Sequence, residues 1–365
     1  MEYIALGLNR DRALSISSLT RHQYYYKPKK GGLKCGPKVS TSTSCIVNEE
    51  LVSKDNTEVI EKMKLNHGDP DLSYGYKRMT TALQIAGYQI NHKKVYRLMK
   101  EEDLLQTKKK GHPKKYVKYR ILIPDGPLKA LEMDIKFVWI ESHRCHGYIL
   151  TILYVFTRMV LEWHVGMSIT QYTVKELWVS VIEKHLQEYD MLNSGIQIEI
   201  RNDNDPRFSA KLVQDFFTEN YLNQVFTHPY TPQENGHIES FHAILGRSLN
   251  RHHFETLEQV EAHLSIFCEK YNNTRLHGSL ANLPPRVFWE QWLKGNILRT
   301  VKEKKKVKFR LRIPYHKLSG NGIPQGASCS NHDALDGHND LQKVVVGADS
   351  LQQPSVQRSP SVASC

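Results

Sequence analysis

The sequence predicts an α/β fold, in which a mixed sheet is flanked by helices and preceded by a small all-helical region. Three strand-like apolar runs follow one another from about residue 130, and beyond them helical and strand-like segments alternate. Before residue 107 the apolar residues recur with helical spacing instead. Consecutive strands followed by alternating helices and strands are typical of a mixed sheet between helices.

Each core element follows from apolar periodicity and from the turn residues on either side of it. Two-residue alternation is clearest at Ile196, Ile198 and Ile200, just before the turn-forming run 202–206. The predicted strands are 131–139, 148–156, 160–165, 196–201 and 224–227. The predicted helices are 174–189, 210–221 and one that opens near Glu239.

A helix-turn-helix unit is predicted over residues 48–107. An apolar helix through Met79 and Leu83 precedes a turn at 86–88, and a last helix begins near Asn91. At 100° per residue this last helix is apolar on one face and basic on the other. Its apolar residues are Val95, Leu98 and Met99, and its basic residues are Lys93, Lys94, Arg97 and Lys100. We interpret the basic residues as DNA contacts in the major groove, with a merely solvated face as the alternative.

Charge separates the chain into regions. The net charge of +12 over 365 residues divides into +11 for residues 1–125, −4 for 126–300 and +5 for 301–365. A basic arm beside an acidic core suits a protein that binds phosphates with one part and metal ions with another. The domain boundaries that we predict are a short helical segment with a linker at 1–47, the helix-turn-helix unit, a basic linker at 108–127, a catalytic core at 128–298, and a basic, then disordered, tail at 299–365.

Cysteine spacing and apolar run length exclude two classes of protein. The six cysteines form no C-x-x-C pair and no cluster with histidines, so no zinc module is predicted. Scattered unpaired cysteines fit a reducing cytoplasm. The longest apolar run, at 148–156, is far shorter than the roughly 20 residues of a membrane span, so no membrane partner is expected.

Three carboxylates occupy positions that could converge on one site. Asp134 lies inside the first strand, Asp203 directly follows the 196–201 run, and Glu239 falls in the first turns of its helix. Carboxylate oxygens are the ligands that Mg²⁺ and Mn²⁺ prefer. Two such ions could clamp the attacking and leaving oxygens of a displacement at phosphate. Asp205 competes with Asp203 for this role.

The spacing of these residues resembles a known family. Between Asp203 and Glu239 lie 35 residues, and the run Asn235-Gly236-x-x-Glu239-Ser240 follows a proline-containing turn. Downstream, residues 271–280 read YNNTRLHGSL and are followed by Pro284-Pro285. This combination resembles the DDE transposase and retroviral integrase superfamily. Within it, the chain looks like the second-frame (OrfB-type) transposase of bacterial insertion sequences, over about residues 1–295.

The resemblance implies an RNase H-like core and metal-dependent DNA cleavage followed by strand transfer. Asp134, Asp203 and Glu239 would be both catalytic residues and ligands to two Mg²⁺ ions, with Mn²⁺ as an alternative. Asn235 and His237 would position DNA or the site. The implied partners are transposon ends, target DNA and further copies of the chain, with fusion or pairing with an upstream-frame protein left open. The expected location is a prokaryotic cytoplasm, in association with the nucleoid.

One departure from the family pattern concerns DNA end binding. The family usually carries Lys or Arg seven residues after the glutamate, and here that position is Gly246. Arg247 is the next residue, and we expect it to contact DNA although its side chain should point about 80° away from Glu239. Two alternatives therefore stay open. One is a DNA-binding remnant or regulator with impaired catalysis, and the other is an RNase H-like nuclease without strand transfer.

Overall fold

The computed structural model describes residues 5–26, 40–106, 122, 126–187, 196–228, 231–302 and 306–318. The chain divides into two compact units, Met1–Thr41 and Ser42–Cys365. The first unit contains helices α1 (Arg10–Ile16) and α2 (Arg21–Tyr25). Side chains cap both helices, because Asn9 accepts from backbone amides of α1 and Thr20 forms a capping box with Gln23. These helices agree with the helical prediction for the N-terminal segment.

The second unit opens with a β-hairpin and three helices. The hairpin consists of β1 (Ser42–Val47) and β2 (Glu50–Asp55), and the helices are α3 (Asn56–Gly68), α4 (Tyr76–Ile85) and α5 (His92–Glu101). Gly87, in the turn between α4 and α5, has φ of +93°. A Cβ atom at this position would lie 2.7 Å from the carbonyl oxygen of Ile46 in β1. The turn therefore needs glycine both for its backbone conformation and for the close approach of the hairpin.

The hairpin corrects the prediction of an all-helical region. Strand β1 falls inside residues that the sequence predicts as linker, and alternate side chains, Thr43 and Cys45, are buried. Its backbone also bonds to the turn after α4, through Ile46 N–H to Gly87 O and Gln89 N–H to Ser44 O. The polar run of Ser and Thr conceals a strand because the apolar cover comes from helices later in the chain. Residues 27–39 of the predicted linker and residues 108–121 and 123–125 of the predicted basic linker lie outside the described residues.

Five described strands form the central sheet in the order β5-β4-β3-β6-β7. They are β3 (Ala130–Ile140), β4 (Cys145–Tyr154), β5 (Val160–Gly166), β6 (Ile198–Asn202) and β7 (Leu222–Phe226). Strands β3, β4 and β5 pair antiparallel, whereas β3, β6 and β7 pair parallel. The sheet is thus mixed, with its first strand in the middle. This topology confirms the predicted mixed sheet.

Helices cover both faces of the sheet. They are α6 (Gln171–Val181, continued by a π-helical turn at Ile182–Leu186), α7 (Lys211–Glu219), α8 (Gly236–Leu249), α9 (Leu257–Asn273) and α10 (Pro285–Leu293). Met133 of β3 shares one apolar cluster with Trp178 of α6, whereas Val138 shares a second cluster with Phe241 of α8. Because side chains alternate along a strand, β3 supplies one face to α6 and the other to α8.

The helix-turn-helix unit packs directly on the core. The hydroxyl of Tyr74 accepts the N–H of Leu276 at 3.1 Å and donates to the carbonyl of Thr274 at 3.3 Å. Lys270 pairs with Asp69 at 2.9 Å, and the Arg275 guanidinium donates to the carbonyl of Asp71. The run 271–280 therefore forms much of the surface on which this unit packs.

A C-terminal extension completes the described structure. A hairpin of β8 (Ile297–Lys302) and β9 (Lys306–Leu311) is followed by a short 3₁₀ turn at Tyr315–Leu318. That turn contacts α4 of the helix-turn-helix unit, and Leu318 is fully buried. Of the basic segment predicted at 302–312 as a strand or a helix, residues 306–311 form strand β9 and residues 303–305 lie outside the described residues. The predicted disorder after residue 319 lies outside the described residues.

Replacing Tyr74 by Phe should destabilise the protein by about 1–3 kcal/mol. The substitution keeps the ring but leaves the buried N–H of Leu276 without the hydroxyl that it now reaches, and an unmade buried hydrogen bond costs an amount of this order. Urea unfolding followed by circular dichroism measures the change. Tyr96→Phe is the matched control, since the Tyr96 side chain is exposed. Equal midpoints for the two variants would contradict the role given to Tyr74.

Acid should destabilise the protein through His277. Burial, followed by the charges of nearby arginines, lowers the pKa of His277 to about 3, so the folded state holds the ring neutral. Its contribution is complete above pH 6.5 and is lost as the pH falls, because the unfolded chain then binds a proton that the folded chain rejects. Between pH 6 and 4 the free energy of unfolding of both proteins should fall, but that of His277→Gln should fall less steeply than that of the wild type. The difference in slope should be up to about 1.4 kcal/mol per pH unit. Parallel pH titration of His67→Gln serves as the control, and an unchanged slope in His277→Gln would contradict the prediction.

Candidate active site

Asp134 and Asp203 lie at one level of the sheet. Strands β3 and β6 run parallel, and their last paired residues are Glu132 and Arg201. Two residues beyond that pair lie Asp134, in β3, and Asp203, just after β6. The two carboxylates therefore come together at the end of β6, as the sequence predicts for strand ends.

Unbalanced negative charge marks this position. Burial, and next the charge of Asp134, raise the pKa of the Asp203 carboxyl. Asp205 differs, because the Arg207 guanidinium binds its two oxygens at 2.7 and 2.5 Å. Hydrogen bonding to that guanidinium lowers the pKa of Asp205. The arrangement favours Asp203 over Asp205 as the ligand, since the oxygens of Asp205 are already engaged.

Helix α8 begins on a buried carboxylate next to the site. The backbone N–H of Ile238 donates to Oε2 of Glu132 at 2.6 Å, and the Glu132 side chain is fully buried. Burial raises the pKa of Glu132 to about 7, against the opposing effects of the Ile238 amide and the charges of Arg158 and Arg201. An acceptor at a helix N-terminus satisfies amides that have no partner within the helix. This bond fixes the start of α8 against β3.

Glu239 and His242 follow on the same helix. Nδ1 of His242 lies 3.3 Å from Oδ2 of Asp134, which ties the helix to the strand a second time. Glu239 precedes His242 by three residues, so its side chain leaves a neighbouring part of the same helix face, and it is exposed. In the part of the chain that the structure describes, no three acidic, His or Cys side chains approach closely enough to hold a metal ion. The structure thus brings Asp134 and Asp203 together and places Glu239 on the helix beside them.

The pair of aspartates has the chemistry of a divalent-cation site. Its ligands are hard carboxylate oxygens, and the raised pKa of Asp203 reports negative charge that a cation would neutralise. Asp134 and Asp203 therefore fit Mg²⁺ or Mn²⁺ by donor type and charge. Glu239 fits by donor type and by its place on α8.

Asn235 and His237 lie at the start of α8, where Asn235 is buried and His237 is half-buried. Asn235 is buried in the short 3₁₀ turn at Pro232–Asn235. Burial, followed by the charges of Arg158 and Arg201, lowers the pKa of His237 to about 3. A half-buried ring that stays neutral supports the helix start rather than a phosphate. Of the two roles predicted for these residues, the structure favours positioning of the site.

The basic residues of α5 occupy different environments. Val95, Leu98 and Met99 are buried, as predicted, while Lys93 and Lys100 are exposed. The ammonium of Lys94 donates to the carbonyl of Ser42 in β1 at 2.6 Å, and Arg97 lies 3.9 Å from Glu101. Lys93 and Lys100 are therefore the exposed candidates for DNA contact, and the DNA-binding role of all four stays a prediction.

Arg247 and Gly246 face different neighbours. The charge of Arg247 contributes to lowering the pKa of Arg78 and of Arg275, after burial and other charges, so Arg247 lies toward the helix-turn-helix unit. A Cβ atom at Gly246 would instead lie 3.2 Å from both Cε and Nζ of Lys136 in β3. Sequence reasoning missed Glu132 and Lys136. The available signal was charge at every second position of an otherwise apolar strand, which places Glu132, Asp134 and Lys136 on one face.

Comparison with known proteins agrees with this geometry. The family described as "Integrase core domain" matches residues 220–285, which include the whole of α8 and α9, and "HTH-like domain" matches residues 53–112. Residues 220–285 are thus similar to part of an integrase core domain. A protein of insertion element IS476 from Xanthomonas euvesicatoria is 27% identical over 219 residues, which cover 59% of this chain and 60% of that protein. The putative transposase InsK of insertion sequence IS150 from Escherichia coli is 23% identical over 230 residues, covering 60% of this chain and 78% of that protein.

Similar solved structures include integrase and transposase cores. The HTLV-2 integrase catalytic core domain in complex with magnesium is 15% identical with a TM-score of 0.33, and the alignment covers 47% of this chain and 98% of that chain. The catalytic domain of Mos1 mariner transposase is 15% identical with a TM-score of 0.35, covering 45% and 74%. The resemblance to insertion-sequence transposases is confirmed by the relatives and by the two domain matches. No helix in the described ranges is long and apolar enough to cross a membrane.

Replacing Asp203 by Asn should stabilise the metal-free protein. An acid whose folded pKa is raised penalises the folded state once it ionises, so this cost is absent at low pH and complete at pH 7. We expect Asp203→Asn to melt at a higher temperature than the wild type at pH 7 with a chelator present, and to lose the stabilisation that Mg²⁺ or Mn²⁺ gives the wild type. Thermal denaturation with and without metal measures both effects. Asp215→Asn, an exposed substitution on α7, is the control, and equal metal-induced shifts in all three proteins would contradict the prediction.

Proposed function

We propose that this chain is the transposase of an insertion sequence, which cleaves DNA at the ends of the element and joins the freed 3′ ends to target DNA. The observation that carries the proposal is the pairing of Asp134 with Asp203 beside the start of the Glu239 helix, inside an RNase H-like sheet. Integrase core and helix-turn-helix matches in one chain support it. The match to the Xanthomonas relative covers only 60% of that protein, so the proposal rests on the site and not on that match alone.

Each residue of the site has a separate task. Asp134 and Asp203 would bind the cations and Glu239 would complete their coordination, while His242 orients Asp134 and Glu132 holds α8 in place. Two Mg²⁺ ions, when bound, would supply activation of the attacking oxygen and neutralisation of charge at the phosphate. The 3′-hydroxyl freed by the first cut would then attack a target phosphodiester, which breaks one P–O bond for each that forms. Thus no nucleophilic side chain is required.

Exposed basic side chains would carry the DNA. Lys93 and Lys100 on α5 point away from the buried face of the helix-turn-helix unit and would contact phosphates or base edges of the transposon end. Since an element has two ends, we propose that at least two copies of the chain assemble on it. Fusion or pairing with an upstream-frame protein, and a location at the nucleoid, stay predictions.

Single substitutions of the triad should abolish cleavage and leave DNA binding intact. The variants Asp134→Asn, Asp203→Asn and Glu239→Gln each lose one charged oxygen ligand. Cleavage of terminal-repeat DNA by each variant should therefore slow by more than about 10²-fold, the scale of removing one charge-stabilising group. Gel analysis of labelled ends with Mg²⁺ or Mn²⁺ measures cleavage, and fluorescence anisotropy with Ca²⁺ measures binding. Glu183→Gln, which removes an exposed carboxylate in the π-helical turn after α6, is the control.

The products distinguish the proposal from its two alternatives. Cleaved ends that also appear joined to a target plasmid support a transposase. Cleavage without joining identifies an RNase H-like nuclease, whereas specific binding without cleavage identifies a DNA-binding remnant or regulator. Loss of DNA binding in all three triad variants would contradict the assignment of these residues to chemistry rather than to folding.

A further inference from the structure

Strand β3 and helix α8 run side by side and meet at three successive levels. Glu132 receives the N–H of Ile238, Asp134 contacts His242, and Lys136 reaches Gly246. Each level advances two residues along the strand, about 6.6 Å, and four residues along the helix, about 6 Å. The near match of these two lengths keeps the contacts in register. Lys136 is therefore the next side chain of the same surface that holds Asp134.

The ammonium of Lys136 has no counter-ion in the part of the chain that the structure describes. Its side chain is half-buried, and no hydrogen bond or ion pair connects it to a described residue. Lys270, by comparison, is engaged by Asp69 and Lys184 by Glu162. A partly desolvated cation without a partner loses solvation without gaining a structural ion pair. Lys136 is thus poorly explained as a stabilising residue.

Gly246 provides the space that Lys136 occupies. Any side chain at 246 would begin 3.2 Å from both Cε and Nζ of the lysine, closer than an ordinary van der Waals contact, so the end of Lys136 would have to shift by a few tenths of an ångström to admit it. Seven residues separate Gly246 from Glu239, which is 20° short of two helical turns, so both lie on the same face of α8. The ammonium consequently stands over the helix face that carries Glu239 and two residues along the strand from Asp134.

A groove continues from Lys136 toward the C-terminal end of α8. It has a volume of about 270 Å³, and its lining includes Trp139, His146, Asn250 and His253 as well as Lys136. The Trp139 side chain is 43% exposed, which leaves part of an aromatic ring open to a ligand. A cation next to aromatic and hydrogen-bonding side chains is a combination that binds a nucleic-acid strand through its phosphates and bases.

We infer that Lys136 binds a phosphate of the DNA strand that enters the carboxylate site, and that Gly246 serves to admit it. This inference rests on the proposed function. It assigns Lys136 as a DNA-positioning residue beside the metal ligands, with the cation supplied by the strand rather than by the helix. The positive charge that the family usually has at position 246 is then supplied by Lys136, so end binding is intact without Lys or Arg at 246.

Lys136→Met tests the charge while it retains the aliphatic stem that packs over Gly246. One lost phosphate contact lowers the slope of log affinity against log salt by about 0.9, so the wild type should lose about threefold more affinity than Lys136→Met between 50 and 200 mM salt. Anisotropy with terminal-repeat duplex and Ca²⁺ measures this. Lys294→Ala, after α10, is the control for removal of one positive charge. A slope equal to the wild type would overturn the inference.

Exchange of the two positions gives an independent test. Lys136→Ala opens the space, so Lys136→Ala/Gly246→Lys should recover the salt slope and the cleavage rate that Lys136→Ala loses. Gly246→Lys alone should bind and cleave less well than the wild type, because two cations then compete for one space. A double variant no better than Lys136→Ala would overturn the inference. Should the wild type bind DNA but cut none, the proposed function fails, while the slopes still decide the role of Lys136.

Discussion

The hydrogen bond from the Ile238 amide to the buried Glu132 carboxylate is the contact on which the site depends. It joins the first turn of α8 to the central strand of the sheet at 2.6 Å. Burial of a carboxylate is costly, and the raised pKa of Glu132 records that cost. Arg158 and Arg201 supply compensating positive charge, and the helix N-terminus supplies the donors. Because this bond fixes the start of α8, it also sets the position of the later residues of α8 relative to β3.

Much of the site could be predicted because its signals are local. Asp134 inside a strand, Asp203 one residue past another and Glu239 in the first turn of a helix all follow from periodicity and turn chemistry, and the structure has these placements. The choice between Asp203 and Asp205 could not be made this way. It depends on the side chain of Arg207 folding back onto Asp205, which no spacing rule specifies.

Contacts between distant segments account for what the sequence did not reveal. Strand β1 looks like a polar linker until the backbone of the turn at Gly87 pairs with it. Gly246 looks like a missing cation until Lys136, 110 positions earlier in the chain, reaches it. The run at 271–280 is recognisable as a motif, but its bonds to Tyr74 join residues about 200 positions apart. Such tertiary pairings override local propensity, as buried strands and close glycine contacts often do.

The packing of the helix-turn-helix unit on the end of α9 has a consequence for the proposed transposase. Tyr74, Asp69 and the Arg275 guanidinium connect that unit to the same core that carries the aspartates. In the proposed activity, protein geometry would therefore set the distance between the bound sequence and the scissile phosphate. The element would have to keep a constant number of base pairs between its recognition sequence and its terminus, and an insertion of half a helical turn there would rotate the cut site to the opposite face of the duplex.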